Sequence, residues 1–283
     1  MLTNDQFEKA RQLALRLAGI ELFERHRELL HRRLLRMGLN PPAGFDALLA
    51  GVEAGNPAAS MRFVGLITTK FTGFFRQPCH FEIAAEHALW AVHRRGRARL
   101  WSAAAATGEE PYSLAVALLE IFRHDRPPVA IVATDIDEAA LAVAQRGEYN
   151  EAALSALTPE RRLRFAGERH GATHWSLSPS VRQLVEFHGL NLIDSVWAIE
   201  GFFDVILCRN VLMYLEGCHR YSVLERLASL LAPDGLLMLD PTEHLGRAVH
   251  FFAPGKDGVY ARRRAADPRR DRPRHSTSSR VEL

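Results

Sequence analysis

Four short segments carry polar groups in patterns that suit ligand binding. The first is Trp101-Ser102-Ala103-Ala104-Ala105-Ala106-Thr107-Gly108-Glu109-Glu110-Pro111-Tyr112-Ser113. Its tiny side chains let a ligand approach the backbone closely, and its acids open the next helix. An Ala-rich packed strand, with acids complementing a helix dipole, fits the same letters. The second is Ala133-Thr134-Asp135-Ile136-Asp137. An acid ending a second parallel strand can accept both ribose hydroxyls of an adenosine ligand, or merely cap the following helix. The third, Thr68-Thr69-Lys70-Phe71-Thr72-Gly73-Phe74-Phe75-Arg76, sets hydroxyls and an Arg around two core-type Phe residues. The fourth, Cys208-Arg209-Asn210-Val211-Leu212-Met213-Tyr214, follows a short apolar run. That puts Arg209 and Asn210 at the ligand end of a strand. A capping Asn and a buried Tyr are the plainer alternative.

Other chemistries lack their patterns. GxGxxG is absent, which argues against a nicotinamide enzyme, and GxxxxGK[ST] is absent, which argues against a P-loop nucleotidase. The 13 His form no HxH or HExxH, and there is no GxSxG. Cys79, Cys208 and Cys218 are odd in number and widely spaced. They predict neither a disulfide framework nor a zinc site, and a reducing cytoplasm is the expected setting.

The elements that must position these segments follow from periodicity. Residues 1–80 read as all helical. Thr3 with Gln6 is a capping box, and Phe7, Ala10, Ala14 and Leu17 recur at helical spacing up to Gly19. A second helix is expected over Leu22–Met37, a third around Phe45–Ala54, and a fourth from Asn56-Pro57 through Ile67. Asn40-Pro41-Pro42 is a break. From residue 98 strands and helices alternate. Strands are expected at Arg99–Ala105, Val129–Thr134, Phe203–Cys208 and Gly235–Leu239. Helices are expected at Pro111–Phe122, Glu138–Gln145 and Cys218–Leu231, the last closed by Pro233-Asp234-Gly235. This predicts a doubly wound, mostly parallel sheet with ligands at the carboxyl ends of its strands. Residues 150–190 read as a small insertion. Thr158-Pro159-Glu160 starts a helix there, and His174–Ser178 and Val181–Phe187 look like short strands.

Composition agrees with a folded chain. The 283 residues are 47% hydrophobic and 24% charged, which excludes a disordered or collagen-like protein. No apolar run reaches the roughly 18 residues of a membrane span, and the first residues lack a secretory pattern. A net charge of +3 is mild and implies no nucleic-acid partner. Beyond residue 263 the chain is a basic tail, expected to be disordered.

Taken in order and spacing, TTKFTGFFR (68–76), WSAAAATGEEPYSLA (101–115), ATDIDEAAL (133–141), LNL (190–192), FDVILCRNVLMYL (203–215) and LLAPDGLLML (230–239) resemble the CheR-type methyltransferases. The resemblance covers roughly residues 3–263. It implies a Rossmann-like S-adenosylmethionine-dependent fold at 81–263, an all-α N-terminal substrate-recognition domain at 1–80, and a small β-subdomain inserted near 150–190. It implies methylation of glutamate side chains on the cytoplasmic domains of chemotaxis receptors, by a cytoplasmic monomer that leaves S-adenosylhomocysteine. Lys70, Thr72, Arg76, Glu110, Asp135, Asn191, Leu192, Arg209 and Asn210 would contact the cofactor, and Arg76 and Tyr214 would flank the transferred methyl group. Glu109 is the second acid of its pair. Two departures bear on substrate choice: Lys70 replaces a usual Asn, and Asp240-Pro241-Thr242-Glu243 replaces a Gly-His-Ser-Glu-like run. A methyltransferase for another carboxylate, or a non-catalytic cofactor-binding adaptor, fits the same motifs.

At about 100° per residue, Phe23, Leu30, Leu34 and Met37 share one stripe of the second helix, with Arg25, Arg32 and Arg36 nearly opposite. That basic stripe is either a solvated face or a docking face for an acidic helical substrate.

Overall fold

The structure is a computed structural model that describes residues 2–39, 43–69, 72–171 and 173–263. Lys70, the Asn40–Pro42 break and the basic tail lie outside the described residues.

The capping box forms as the sequence predicts: Thr3 Oγ1 accepts from Gln6 N, and Gln6 Oε1 accepts from Thr3 N. It opens α1 (Asn4–Ala18), which ends at Gly19 in the left-handed region, φ 65°. A Cβ on Gly19 would lie 2.6 Å from Ile193 Cγ2, so glycine is needed there for space as well as for φ. The second helix starts late, as α2 (Arg27–Arg36). Phe23 N donates to His26 Nδ1 at 3.0 Å, and Glu24–His26 form a 3-10 turn instead. Arg25 therefore lies off α2, on that turn. Of the expected apolar stripe, Leu30 and Leu34 are buried, while Phe23 and Met37 are exposed. α3 (Ala43–Glu53) and α4 (Pro57–Ile67) follow, the latter capped by Asn56 Oδ1 with Pro57 in its first turn.

α5 (Pro78–Arg95) is not predicted by the sequence analysis. Its Ala84, Ala85, Ala88 and Ala91 are buried, a small-residue face that lets it lie close on the sheet. The boundary expected at residue 80 thus cuts through α5. The apolar cluster of the N-terminal helices ends at Ile67.

Then come β1 (Ala98–Ser102), α6 (Glu109–Phe122), β2 (Val129–Asp135), α7 (Glu138–Arg146), β3 (Glu148–Asn150), α8 (Glu151–Leu154) and α9 (Pro159–Phe165). β4 (Ala166–His170), β5 (His174–Leu177), α10 (Pro179–Arg182), β6 (Val185–Gly189), β7 (Phe203–Leu207), α11 (Gly217–Leu230), β8 (Leu231–Met238), β9 (Phe252–Pro254) and β10 (Val259–Arg262) complete the chain. The main sheet has the order β6-β2-β1-β7-β8-β10-β9. β6, β2, β1, β7 and β8 are parallel, and β10 runs antiparallel to both neighbours. Strand order reverses beside β1, which opens a crevice at its carboxyl end. One apolar cluster packs on each face of this sheet.

Three expectations need correction here. Val181–Phe187 is no strand of an insertion. Its first part is helix α10, and β6 pairs with β2 from Ile131↔Val185 to Asp135↔Gly189. The separate sheet, β3-β5-β4, spans only Glu148–Leu177. Second, Ala103–Ala105 leave the sheet as a loop, because β1 ends at Ser102. Third, Pro233-Asp234-Gly235 does not separate helix from strand. It bulges within β8, where Phe203 pairs with Leu231 and Val205 with Leu236.

Candidate active site

The small-residue loop leaves β1 with its backbone tied to both neighbouring strands. Ala103 N donates to Leu207 O at 2.8 Å and Ala105 N to Thr134 O at 2.9 Å. Ala106 has φ 46° and Gly108 φ 97°. A Cβ on Gly108 would sit 2.7 Å from Tyr149 Oη, so only glycine turns the chain here into α6. That turn separates the two acids. Glu109 is buried beneath the loop, bonded by Thr107 Oγ1 at 2.7 Å, and burial raises its pKa. Glu110 faces the crevice. Its Oε1 accepts from Ser102 Oγ at 2.7 Å and its Oε2 from Arg209 Nη1 at 3.0 Å.

Asp135 ends β2 beside this loop. Its Oδ2 accepts from Ala106 N and its Oδ1 from Asp137 N, both at 2.8 Å. The carboxylate is thereby fixed, and each oxygen has a second lone pair. Asp137 caps α7 through Ala140 N and lies 3.0 Å from Thr68 Oγ1, which joins α4 to the sheet.

Arg76 stands between two strained residues, Phe75 at φ 51° and Gln77 at φ 61°. Such conformations cost about 1–3 kcal/mol each and persist only where neighbours enforce them. Phe75 N donates to Ser113 Oγ at 2.9 Å, and Arg209 Nη2 donates to Arg76 O at 2.5 Å and Gln77 Oε1 at 2.6 Å. Arg209 is only 5% exposed and lies over the Phe81 ring. It is a brace for Glu110 and the Arg76 backbone.

Asn210 takes φ 58°, and its side chain donates to Asp240 Oδ2 at 2.7 Å. Buried Glu243 gathers the backbone of this turn, accepting from Asn210 N, Val211 N, Met213 N and Asp240 N. Burial raises its pKa, against those bonds. Tyr214 is held by Glu21 N, which donates to Tyr214 O at 2.9 Å next to the Ile20↔Leu215 bridge. Asn191 Nδ2 donates to Leu17 O at 2.7 Å, so its amide serves the junction with α1.

These parts enclose a cleft of about 1070 Å³, its open mouth included. Thr72, Arg76, Glu110, Asp135, Asn191, Leu192, Arg209, Asn210 and Tyr214 all line it. Arg25, Arg32 and Arg36 do not; they are exposed on the N-terminal helical part. Thr68, Thr69, Gly73 and Asp137, which lie in the ligand-suited segments but carry no individual role in the sequence reading, also line the cleft. Arg33, on which the sequence carries no such signal, donates to Leu66 O, Thr68 O and Thr69 Oγ1 and so holds the rim. Among the described residues, Glu216, Cys218 and His219 form a three-residue group of metal-ligand types outside the cleft lining. There Glu216 caps α11 through Cys218 N.

A family profile described as "CheR methyltransferase, SAM binding domain" matches residues 70–257. The chain belongs to the CheR methyltransferase family. It is 36% identical over 262 residues to "Chemotaxis protein methyltransferase 2" of Pseudomonas aeruginosa, covering 92% of this chain and 93% of that protein. It is 35% identical over 269 residues to "Chemotaxis protein methyltransferase" of Salmonella typhimurium, with 92% and 91% covered. The Escherichia coli protein of the same name is 33% identical over 269 residues, with the same coverage.

S-adenosylmethionine is the cofactor of this CheR family member, and the cleft suits it chemically. Glu110 offers a fixed anion for an ammonium group, Asp135 a fixed anion for a ribose diol, and Ala103, Ala104 and Ala106 a wall without bulk. Ile136 and Leu192 add apolar surface. Asp135→Ala should weaken S-adenosylmethionine and S-adenosylhomocysteine by about 1–3 kcal/mol each, because both share the ribose. Calorimetry with both ligands checks this; unchanged affinity removes Asp135 from that role.

Proposed function

We propose that this protein transfers the methyl group of S-adenosylmethionine to glutamate side chains on the cytoplasmic domains of methyl-accepting chemotaxis receptors. The products are glutamate methyl esters and S-adenosylhomocysteine, made in sensory adaptation by a cytoplasmic monomer. The observation that carries the reading is that Arg76 and Tyr214 line the same cleft as Glu110 and Asp135. An acceptor-orienting pair thus adjoins a cofactor-type site. No helix among the described residues is long and apolar enough to cross a membrane.

The cofactor supplies an electrophilic methyl carbon on a sulfonium. The acceptor carboxylate, with an ordinary pKa of about 4.3, is already ionised near pH 7. No strong base is needed; the residues supply alignment and shielding from water. Arg76 pairs with one acceptor oxygen and directs the other along the transfer axis, and the Tyr214 hydroxyl donates to the carboxylate. Thr72 and Asn210 complete the wall around the reacting groups, and Arg209 keeps Glu110 and Arg76 in register.

Receptor methylation sites of this kind lie on helices, and the N-terminal helices border the cleft through Ala18, Ile20 and Ile67. Residues 1–80 are read as the substrate-recognition part. Arg32 and Arg36 lie one turn apart on α2, and Arg25 extends the basic surface from the 3-10 turn. Arg32 is 3.9 Å from Glu28, an exposed pair that adds little. Reversing Arg25, Arg32 and Arg36 to Glu should lower kcat/KM for receptor at least about tenfold and leave cofactor affinity intact. Parent activity should also fall with salt. Equal kinetics at low salt would make these arginines ordinary surface.

The functional reading is tested with methyl-labelled S-adenosylmethionine and a receptor cytoplasmic fragment. Base-labile label on the receptor supports it. Saturable cofactor binding without transfer to any receptor would favour an adaptor instead.

A further inference from the structure

Asp240 follows β8 and is 4% exposed. It does not line the cleft, yet it touches three residues at the cleft's edge. Its Oδ2 accepts from Asn210 Nδ2 at 2.7 Å and Gln77 Nε2 at 3.1 Å, and lies 3.8 Å from Arg76 Nη2. Its Oδ1 accepts from Thr242 N at 3.0 Å and Thr242 Oγ1 at 2.7 Å. The Oδ1 bonds are those of an ordinary Asx turn. The Oδ2 contacts are not needed for a turn; they collect Arg76, Gln77 and Asn210. Burial alone would raise this carboxyl, but the Thr242 and Asn210 bonds and the Arg76 charge bring it down to about 2. The group is a fixed anion throughout the physiological range.

A fixed anion beside Arg76 has a specific consequence for carboxylate methylation. An unopposed guanidinium would pair tightly with the ionised acceptor and quench its nucleophilicity. As the ester forms, the acceptor loses its charge, and the guanidinium would lose its partner at the transition state. A permanent counter-charge weakens the first effect and removes the second. It also fixes the guanidinium in advance, so little reorganisation is needed during transfer.

We propose that Asp240 is a positioning residue for methyl transfer, holding Arg76 at the orientation that receives the acceptor and balancing its charge as the acceptor is neutralised. This rests on the glutamate-methylation reading. It also gives a role to the position where the sequence departs from the Gly-His-Ser-Glu-like run of its family.

The test is a double-mutant cycle between Asp240→Asn and Arg76→Ala, with Asp240→Ala as a second variant. Asp240→Ala deletes the acceptor without setting a donor against Asn210 and Gln77. Thermal melts and S-adenosylhomocysteine calorimetry confirm that each variant folds. Each Asp240 variant should lower kcat about tenfold or more with ligand affinity within about threefold, and have little further effect in the Arg76→Ala background. A merely structural role would lower kcat by the same factor in both backgrounds, and that result, or parent kcat in the single variants, overturns the proposal. The Arg76 Nε–H resonance, identified by its loss in Arg76→Ala, gives a second readout that needs no receptor. It should shift and broaden when Asp240 is replaced; an unchanged resonance also overturns the proposal. Failure of the parent to methylate receptor would instead defeat the functional reading, while the resonance still decides whether Asp240 holds Arg76.

Discussion

Arg76→Ala is expected to lower kcat about 100-fold while weakening S-adenosylhomocysteine less than about fivefold. Arg76 is half-buried at the cleft, with its Nη2 3.8 Å from Asp240 Oδ2. Its proposed partner is the acceptor, so its loss removes alignment in the transition state more than ligand binding. Tyr214→Phe, which deletes one donor, should cost about tenfold in kcat. Steady-state methylation of a receptor fragment at saturating cofactor, beside calorimetry, separates the two effects. Parent rates in both variants would refute the alignment mechanism. A loss confined to cofactor affinity would move Arg76 to the binding side of the site.

Arg209→Ala should be the most destabilising single change at the site, by about 3–5 kcal/mol, because it leaves a partner charge in a buried place. The Arg209 side chain is 2% exposed and that of Glu110 13%, so solvent screens this pair poorly. Truncation strips Glu110 of its cation and frees Arg76 O and Gln77 Oε1. The left-handed conformations at Phe75 and Gln77 then lose part of what enforces them. The melting temperature should fall by roughly 6–20 °C for a chain of this size. Arg209→Met with Glu110→Gln should recover part of the stability but not the ligand affinity. A loss below about 1 kcal/mol in urea titration would show that Arg209 is not the brace described.

Local signals in the sequence read correctly where local chemistry decides the outcome. The Thr3–Gln6 box, Gly19, Asn56-Pro57 and Thr158-Pro159 each place a helix end, since caps and φ preferences act within a few residues. Strands β1, β2 and β7 are apolar and buried on both faces, so their runs stand out. β6 is read only in part: a strand is expected over Val181–Phe187, but pairing with β2 sets it at Val185–Gly189 and places it in the main sheet. The late start of α2 depends on one His26 ring nitrogen, which no propensity reveals.

The cleft shows the same division. Thr72 and Arg76, between α4 and α5, came with the family resemblance, whereas Asp135, Arg209 and Asn210 were legible because they sit at strand ends. Their partners were not, because they come from far along the chain: Asp240 to Gln77, Glu243 to Asn210, Asn191 to Leu17. The side chains of Asn191, Asn210 and Arg209 therefore bond to protein as well as bordering the cleft. Any contact they make with a ligand draws on what those bonds leave.

The central claim is that this cleft makes methyl esters of glutamate. The most direct measurement is mass-spectrometric mapping of a receptor cytoplasmic fragment after incubation with deuteromethyl S-adenosylmethionine. The account predicts the heavy methyl on glutamate side chains, lost on mild base treatment and formed about 100-fold more slowly with Arg76→Ala. A heavy methyl on lysine or another base-stable position, or equal labelling by Arg76→Ala, would contradict it.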